Sequence, residues 1–206
     1  CIYGHGWLLF GNEKLSKSKE TGNKEMLDPR VLAARYGIDA IRMFLIKEIP
    51  FGQDGPYSTP LFLNACNSAL ANEYGNLVSR TCGMIGKYLG GTLNIPQNYE
   101  QVDETFKSDI LALRTKVFEA MQNLNPTIAL NTIFEMFSRG NAYIEEVQPW
   151  VLAKDENNKE RLNTFLYTLS EAIIIANTLL LPFLTQKPKE VYGKFELEIP
   201  TDFTKY

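Results

Sequence analysis

Lys14, Lys17 and Lys19 stand within six residues of one another, with Ser16 and Ser18 interleaved and Leu15 the lone apolar side chain. A lysine ammonium is a compact point charge that matches polyphosphate oxygens. Several of them on one loop can stabilise the charge that builds up as pyrophosphate leaves a triphosphate. The same run also fits a plain solvated loop, or a basic targeting patch. Spacing alone does not choose between these readings.

Two further groups carry recognition chemistry. In "NLVSR", Asn76 and Arg80 are four residues apart, which puts both on one face of a helix. An amide offers donor and acceptor together and a guanidinium offers a planar fork, and both read the edges of unpaired bases. A polar helix face with an ion pair to a residue such as Glu73 is the plainer alternative. In "NAYIEEVQPW", Trp150 directly follows Pro149 at a helix end. An exposed indole there is a stacking platform, whereas a buried one is ordinary core. Glu145 and Glu146 make the neighbourhood unfriendly to phosphate, and a carboxylate can instead accept from an exocyclic amino group of a base. His5 among glycines reads as structural, and the Asp54-Gly55 pair in "FGQDG" reads as turn chemistry.

The elements that must position these residues follow from punctuation and periodicity. "HGWLLF" and the "GNE" turn read as strand-like, leading into the lysine loop. Asp28-Pro29 starts a short helix that stops at Gly37, and Asp39 reads as the cap of a second. "IPFGQDGPYSTP" reads as a loop. Thr59-Pro60 opens a long helix to Leu89, with Leu61, Ala65, Leu70, Tyr74, Leu77, Thr81 and Ile85 near a 3.6-residue period. Helices are expected over 104–124 and 126–147, then a polar turn from Lys154 to Asn158 and a buried helix up to Pro182. The expected fold is mainly α, an antiparallel helical bundle preceded by a small α/β piece. The expected divisions are 1–57, 58–186 and a tail of 187–206.

Composition sets the outer bounds. The 206 residues are 45% hydrophobic and 12% aromatic, enough for a real core. A net charge of −3 means that any RNA or phosphate site is a local patch on an acidic body. Three cysteines without a CxxC pair, and a single histidine, argue against a disulfide scaffold or a zinc site and suit a reducing, cytoplasmic setting. No apolar run approaches the roughly 18 residues of a membrane span. The chain opens on Cys1 in strand-like sequence, so it is expected to be part of a longer protein.

With these residues in view, the chain resembles the C-terminal half of the methionyl-tRNA synthetases, which are class I aminoacyl-tRNA synthetases. "HGWLLFGNEKLSKSK" is similar to the last catalytic-core strands and the signature lysine loop, and "LDPRVLAARYGIDAIRMFLIKEIPFGQDG" to the segment that contacts the tRNA stem. "ANEYGNLVSRTCGMIGKYLGG" and "NAYIEEVQPWVLAKD" are similar to the two anticodon-reading segments. The lysine loop marks the class, whereas the Asn-x-x-x-Arg helix together with the Pro-Trp segment marks the methionyl enzymes. The resemblance implies ATP-dependent attachment of methionine to tRNA(Met), with ATP entering with Mg2+ as a substrate and with no metal site in this stretch. It implies that Lys14 and Lys17 hold the ATP phosphates, flanked by Ser16 and Ser18. It further implies that Asn76, Arg80, Glu145, Pro149 and Trp150 serve the CAU anticodon, with Trp150 stacking on its first base and Pro149 setting that Trp.

The chain departs from the family pattern in places. Leu15 replaces the loop methionine, a volume-conserving change. "KETGNKEMLDP" is longer than the usual link to the next helix, and Glu145 stands where some relatives have Asp. The His-x-Gly-His signature of the catalytic domain is absent, so the chain alone is expected not to aminoacylate. The alternative is a stand-alone tRNA-binding helical module without catalysis.

Overall fold

The computed structural model describes residues 6–10, 13–14, 28–50 and 52–200. A small sheet comes first. Strand β1 (Leu8–Phe10) pairs antiparallel with β2 (Glu13–Lys14) and parallel with β3 (Gly55–Tyr57). The sequence suggested a loop across β3. It becomes a strand because the Gly55 amide donates to the Trp7 carbonyl at 2.9 Å, while the Trp7 amide donates to Asp54 Oδ1 at 2.6 Å. A β-carbon on Gly55 would lie 2.6 Å from Ile49 Cγ2, so only glycine fits this approach.

Helices α1 (Pro29–Tyr36) and α2 (Ile38–Lys47) join at Gly37, whose φ of +86° suits glycine. Asp28 caps α1 as expected, accepting from the Arg30 amide at 2.8 Å. Asp39 does not cap α2. It sits inside the first turn, 3% exposed, and its carboxylate is engaged by the distant residues 185–187.

Ser58, one residue earlier than anticipated, caps α3 (Thr59–Ala65). The long helical run then widens into a π-helical stretch, Cys66–Gly75, before α4 (Asn76–Leu89). Such stretches are rare and cluster at functional sites. Gly90 ends α4 in the left-handed region.

Helices α5 (Gln101–Gln122), α6 (Pro126–Val147), the short α7 (Pro149–Leu152), α8 (Lys159–Leu180) and α9 (Lys187–Lys194) complete the chain. A reciprocal capping box between Glu100 and Asp103 starts α5, and Asn125 caps α6. Helices α5, α6 and α8 pack on one another, and α4 lies against α6 and α8. Aromatic rings fill the seams. Phe106 stacks on Tyr143 at 4.2 Å, Tyr143 meets Phe165 at 5.1 Å, and Tyr74 meets Phe137 at 4.7 Å. A second buried carboxylate, besides Asp39, lies at these seams. Asp103 is fully buried and is held by Arg161 at 3.0 Å and by the Tyr143 hydroxyl, which supplies the pairing that a buried carboxylate requires. Among the described residues no helix is long and apolar enough to cross a membrane.

Candidate nucleic-acid interface

Asn76 and Arg80 lie on the outer face of α4. Leu77, Val78, Thr81 and Ile85 point inward and fix that orientation, so Asn76 stays exposed and Arg80 half-buried. The helix is held close to α6 at one crossing. Gly140 admits Leu77 so closely that a β-carbon on it would lie 3.0 Å from Leu77 Cδ2. Beside it, Asn141 Nδ2 donates to the Glu73 carbonyl at 3.2 Å, tying the π-helical stretch to α6.

One turn further along α6, Glu145 accepts from Arg80 at 3.1 Å. Both side chains keep solvent access, so the pair contributes about 0–1 kcal/mol to stability. Its value is geometric, because it aims the guanidinium. The plainer reading pairs Arg80 with a residue such as Glu73. Glu73 instead accepts from the Ser68 hydroxyl, at the i, i+5 spacing that the π-helical stretch creates. Glu146 is turned the other way, onto Arg139 at 3.0 Å, and Arg139 also reaches Asp109 at 3.0 Å. Each carboxylate of the Glu-Glu pair thus has its own cation.

Chain reversal after α6 presents the tryptophan. Gln148 takes a left-handed conformation with φ +51°, which ends α6, and Pro149 is buried as the first residue of α7. Trp150 follows at 41% exposure, with Val151 exposed beside it. A buried proline followed by a half-open indole is an arrangement in which the ring has an anchored backbone and a free face. An amide and an ion-paired guanidinium on α4 thus meet a carboxylate on α6, and the indole on α7 follows that carboxylate five residues along the chain. That set can stack on and hydrogen-bond to unpaired bases, and its near-neutral charge offers little to phosphate.

The lysine loop divides differently. Lys14 falls at the end of β2, while Ser16, Lys17 and Ser18 lie outside the described residues. Among the described residues no cluster of three or more His, Cys, Asp or Glu side chains could hold a metal ion. Asn141 was not anticipated as part of the patch. It stands four residues before Glu145, on the same helix face, and that spacing was the available signal.

Known proteins are similar to this chain over nearly its whole length. The family model described as tRNA synthetases class I (M) matches residues 1–82. A methionine–tRNA ligase of Caldanaerobacter subterraneus subsp. tengcongensis is 45% identical over 203 residues, which cover 98% of this chain and 31% of that protein. One from Clostridium acetobutylicum is 42% identical over 200 residues, covering 97% of this chain and 30% of that protein. In three dimensions, Mycobacterium tuberculosis methionyl-tRNA synthetase in complex with methionyl-adenylate aligns with a TM-score of 0.83 at 35% identity, over 91% of this chain and 36% of that one. Its apo form aligns with a TM-score of 0.79 at 32% identity, over the same shares of the two chains. The chain thus spans about three-tenths of the length of the curated relatives it matches. In sequence and in fold, the chain is thus similar to a stretch of the longer class I methionyl-tRNA synthetases.

Proposed function

We propose that this chain is the part of a methionine–tRNA ligase that supplies the ATP-phosphate loop and reads the CAU anticodon of tRNA(Met). The whole enzyme would activate methionine with ATP and Mg2+ and pass it to the tRNA 3′ end. In this reading Lys14 and Lys17 bind the triphosphate and neutralise the departing pyrophosphate, with Ser16 and Ser18 shaping the loop. Residues 1–57 end the catalytic core and contact the tRNA stem, 58–186 form an antiparallel anticodon-binding bundle, and 187–206 follow as a tail.

The observation that carries the reading is the Arg80–Glu145 contact at 3.1 Å, close in sequence to the half-exposed Trp150. It joins residues 65 positions apart that the resemblance assigns to one anticodon. Asn76 extends the face for hydrogen bonding, Trp150 stacks on the first anticodon base, and Pro149 fixes its backbone. Glu145 accepts from an exocyclic amino group and repels phosphates that stray into the site.

The test is a titration of the chain with an RNA hairpin carrying CAU in its loop, against one of scrambled loop sequence. Preference for CAU is expected, and equal affinity for the two would leave only a structural bundle. In parallel, methionine-dependent ATP–pyrophosphate exchange by the chain alone is expected to be absent. Added Lys17→Ala, placed in a full-length relative of this sequence, is expected to lower exchange at unchanged hairpin affinity.

A further inference from the structure

Helix α9 is held by a side chain of α2, distant in sequence. The Asp39 carboxylate accepts from the amides of Thr185 at 2.7 Å, Gln186 at 2.9 Å and Lys187 at 2.6 Å, and from the Thr185 hydroxyl at 3.2 Å. Arg42 lies three residues along α2, on the same face. It donates through Nε to the Phe183 carbonyl at 2.6 Å and through a terminal nitrogen to the Pro182 carbonyl at 3.1 Å. Two carbonyls and three amides between Pro182 and Lys187 are therefore satisfied by one face of α2.

The same turn is tied inward. The Pro188 carbonyl accepts from Asn177 Nδ2 at 2.9 Å, and Asn177 Oδ1 accepts from the Tyr74 hydroxyl. Asn177 is fully buried, Tyr74 is 3% exposed, and Tyr74 belongs to the π-helical stretch two residues before Asn76. Burial and the nearby Asp39 and Glu190 charges hold the Tyr74 proton well above the usual tyrosine range, so the hydroxyl remains a donor. An amide inside a helix seam is costly unless both ends are paired, and a leucine of similar size would fill the space without that cost. Asn177 has both ends paired, and its two partners lie on different elements.

We infer that Asn177 is a positioning residue for the Asn76–Arg80 face and the centre of a buried polar link. The link runs from Asp39 on α2 through the 185–188 turn and Asn177 to Tyr74, and so ties that face to the segment downstream of the lysine loop. The inference rests on reading the Asn76–Arg80 face as RNA-binding. RNA held at Asn76 and Arg80 restrains the π-helical stretch, and Asn177 passes the restraint to the turn that Asp39 grips. Helix α9 acts as a clasp between α2 and the π-helical stretch.

Hydrogen exchange at the amides of Thr185, Gln186 and Lys187, with and without the CAU hairpin, tests this. Exchange is expected to slow several-fold on binding in the native chain. In Asn177→Leu the hairpin still binds, but that added protection is lost. Equal added protection in Asn177→Leu overturns the inference, as does no added protection in a native chain with hairpin bound. A thermal double-mutant cycle on Tyr74→Phe and Asp39→Asn tests the link without RNA. Melting-temperature losses that fall short of additivity support it, and strictly additive losses overturn it. If the native chain binds no hairpin, the RNA reading fails by itself and the cycle still decides the link.

Discussion

Arg80 and Glu145 meet at 3.1 Å across α4 and α6, and each is partly open to water. The pair is too exposed to matter much for stability. It is well placed to govern what Arg80 touches, since a guanidinium held by a carboxylate on one edge keeps its other donors free.

Glu145→Gln removes one negative charge beside the patch and loosens the guanidinium. Affinity is expected to rise for the scrambled hairpin, which is relieved of repulsion alone, and to rise less or fall for the CAU hairpin, which also loses the charged acceptor, so the ratio between them falls. Stability in urea should change by less than about 1 kcal/mol. An unchanged ratio in filter-binding titrations would remove Glu145 from base selection.

Trp150→Ala takes away a ring whose backbone is anchored by the buried Pro149. Binding of the CAU hairpin should weaken by about 1–3 kcal/mol, with the melting temperature nearly kept. Calorimetric titration suits this measurement, because Trp7 adds its own fluorescence. A variant that loses its fold instead of its affinity would make Trp150 a core residue.

Gly75→Ala runs against the usual helix rule. Alanine normally gains about 1 kcal/mol over glycine inside a helix. Here the new β-carbon would lie 2.9 Å from the Leu70 carbonyl oxygen, which the π-helical geometry brings under it. The variant is expected to be less stable than the native chain by denaturant unfolding, and to bind the hairpin more weakly, since Gly75 precedes Asn76. Added stability would mean that the π-helical stretch yields easily.

Cys66 lies at the start of the same stretch, and burial pushes its thiol up to about 11. Alkylation at pH 8 is expected to be much slower than for an unburied cysteine, because little thiolate is present. The linkage has a definite sign. The folded state keeps a proton that the unfolded chain, with a thiol near 8.5, gives up first. The stabilising contribution is full below about pH 8.5 and fades as the pH climbs toward 11. Comparing melts of the native chain and Cys66→Ala between pH 8 and 11 checks this, with the native chain expected to lose stability more steeply.

Local chemistry made much of the fold legible before any coordinates. Asp28-Pro29, Asn125-Pro126 and Gly90 punctuate helices where they are found, because caps and breakers act within a few residues of themselves. Helix α6 has the bounds that its pattern suggested, Pro126–Val147. Strand β3 was hidden because its pairing depends on Trp7, 48 positions away, and not on its own Gly-Pro-Tyr sequence.

The sequence by itself determined which residue types could read a base, and that Asn76 and Arg80 share a helix face, since i, i+4 spacing is a property of the helix alone. It could not determine that Glu145 is the partner of Arg80, that Gly140 and Asn141 set the crossing behind them, or that Asp39 holds α9 in place of capping α2. Those are contacts between residues distant in the chain. Close packing of helices chooses among many chemically equivalent acceptors the one that burial leaves within reach, and only the tertiary structure makes that choice.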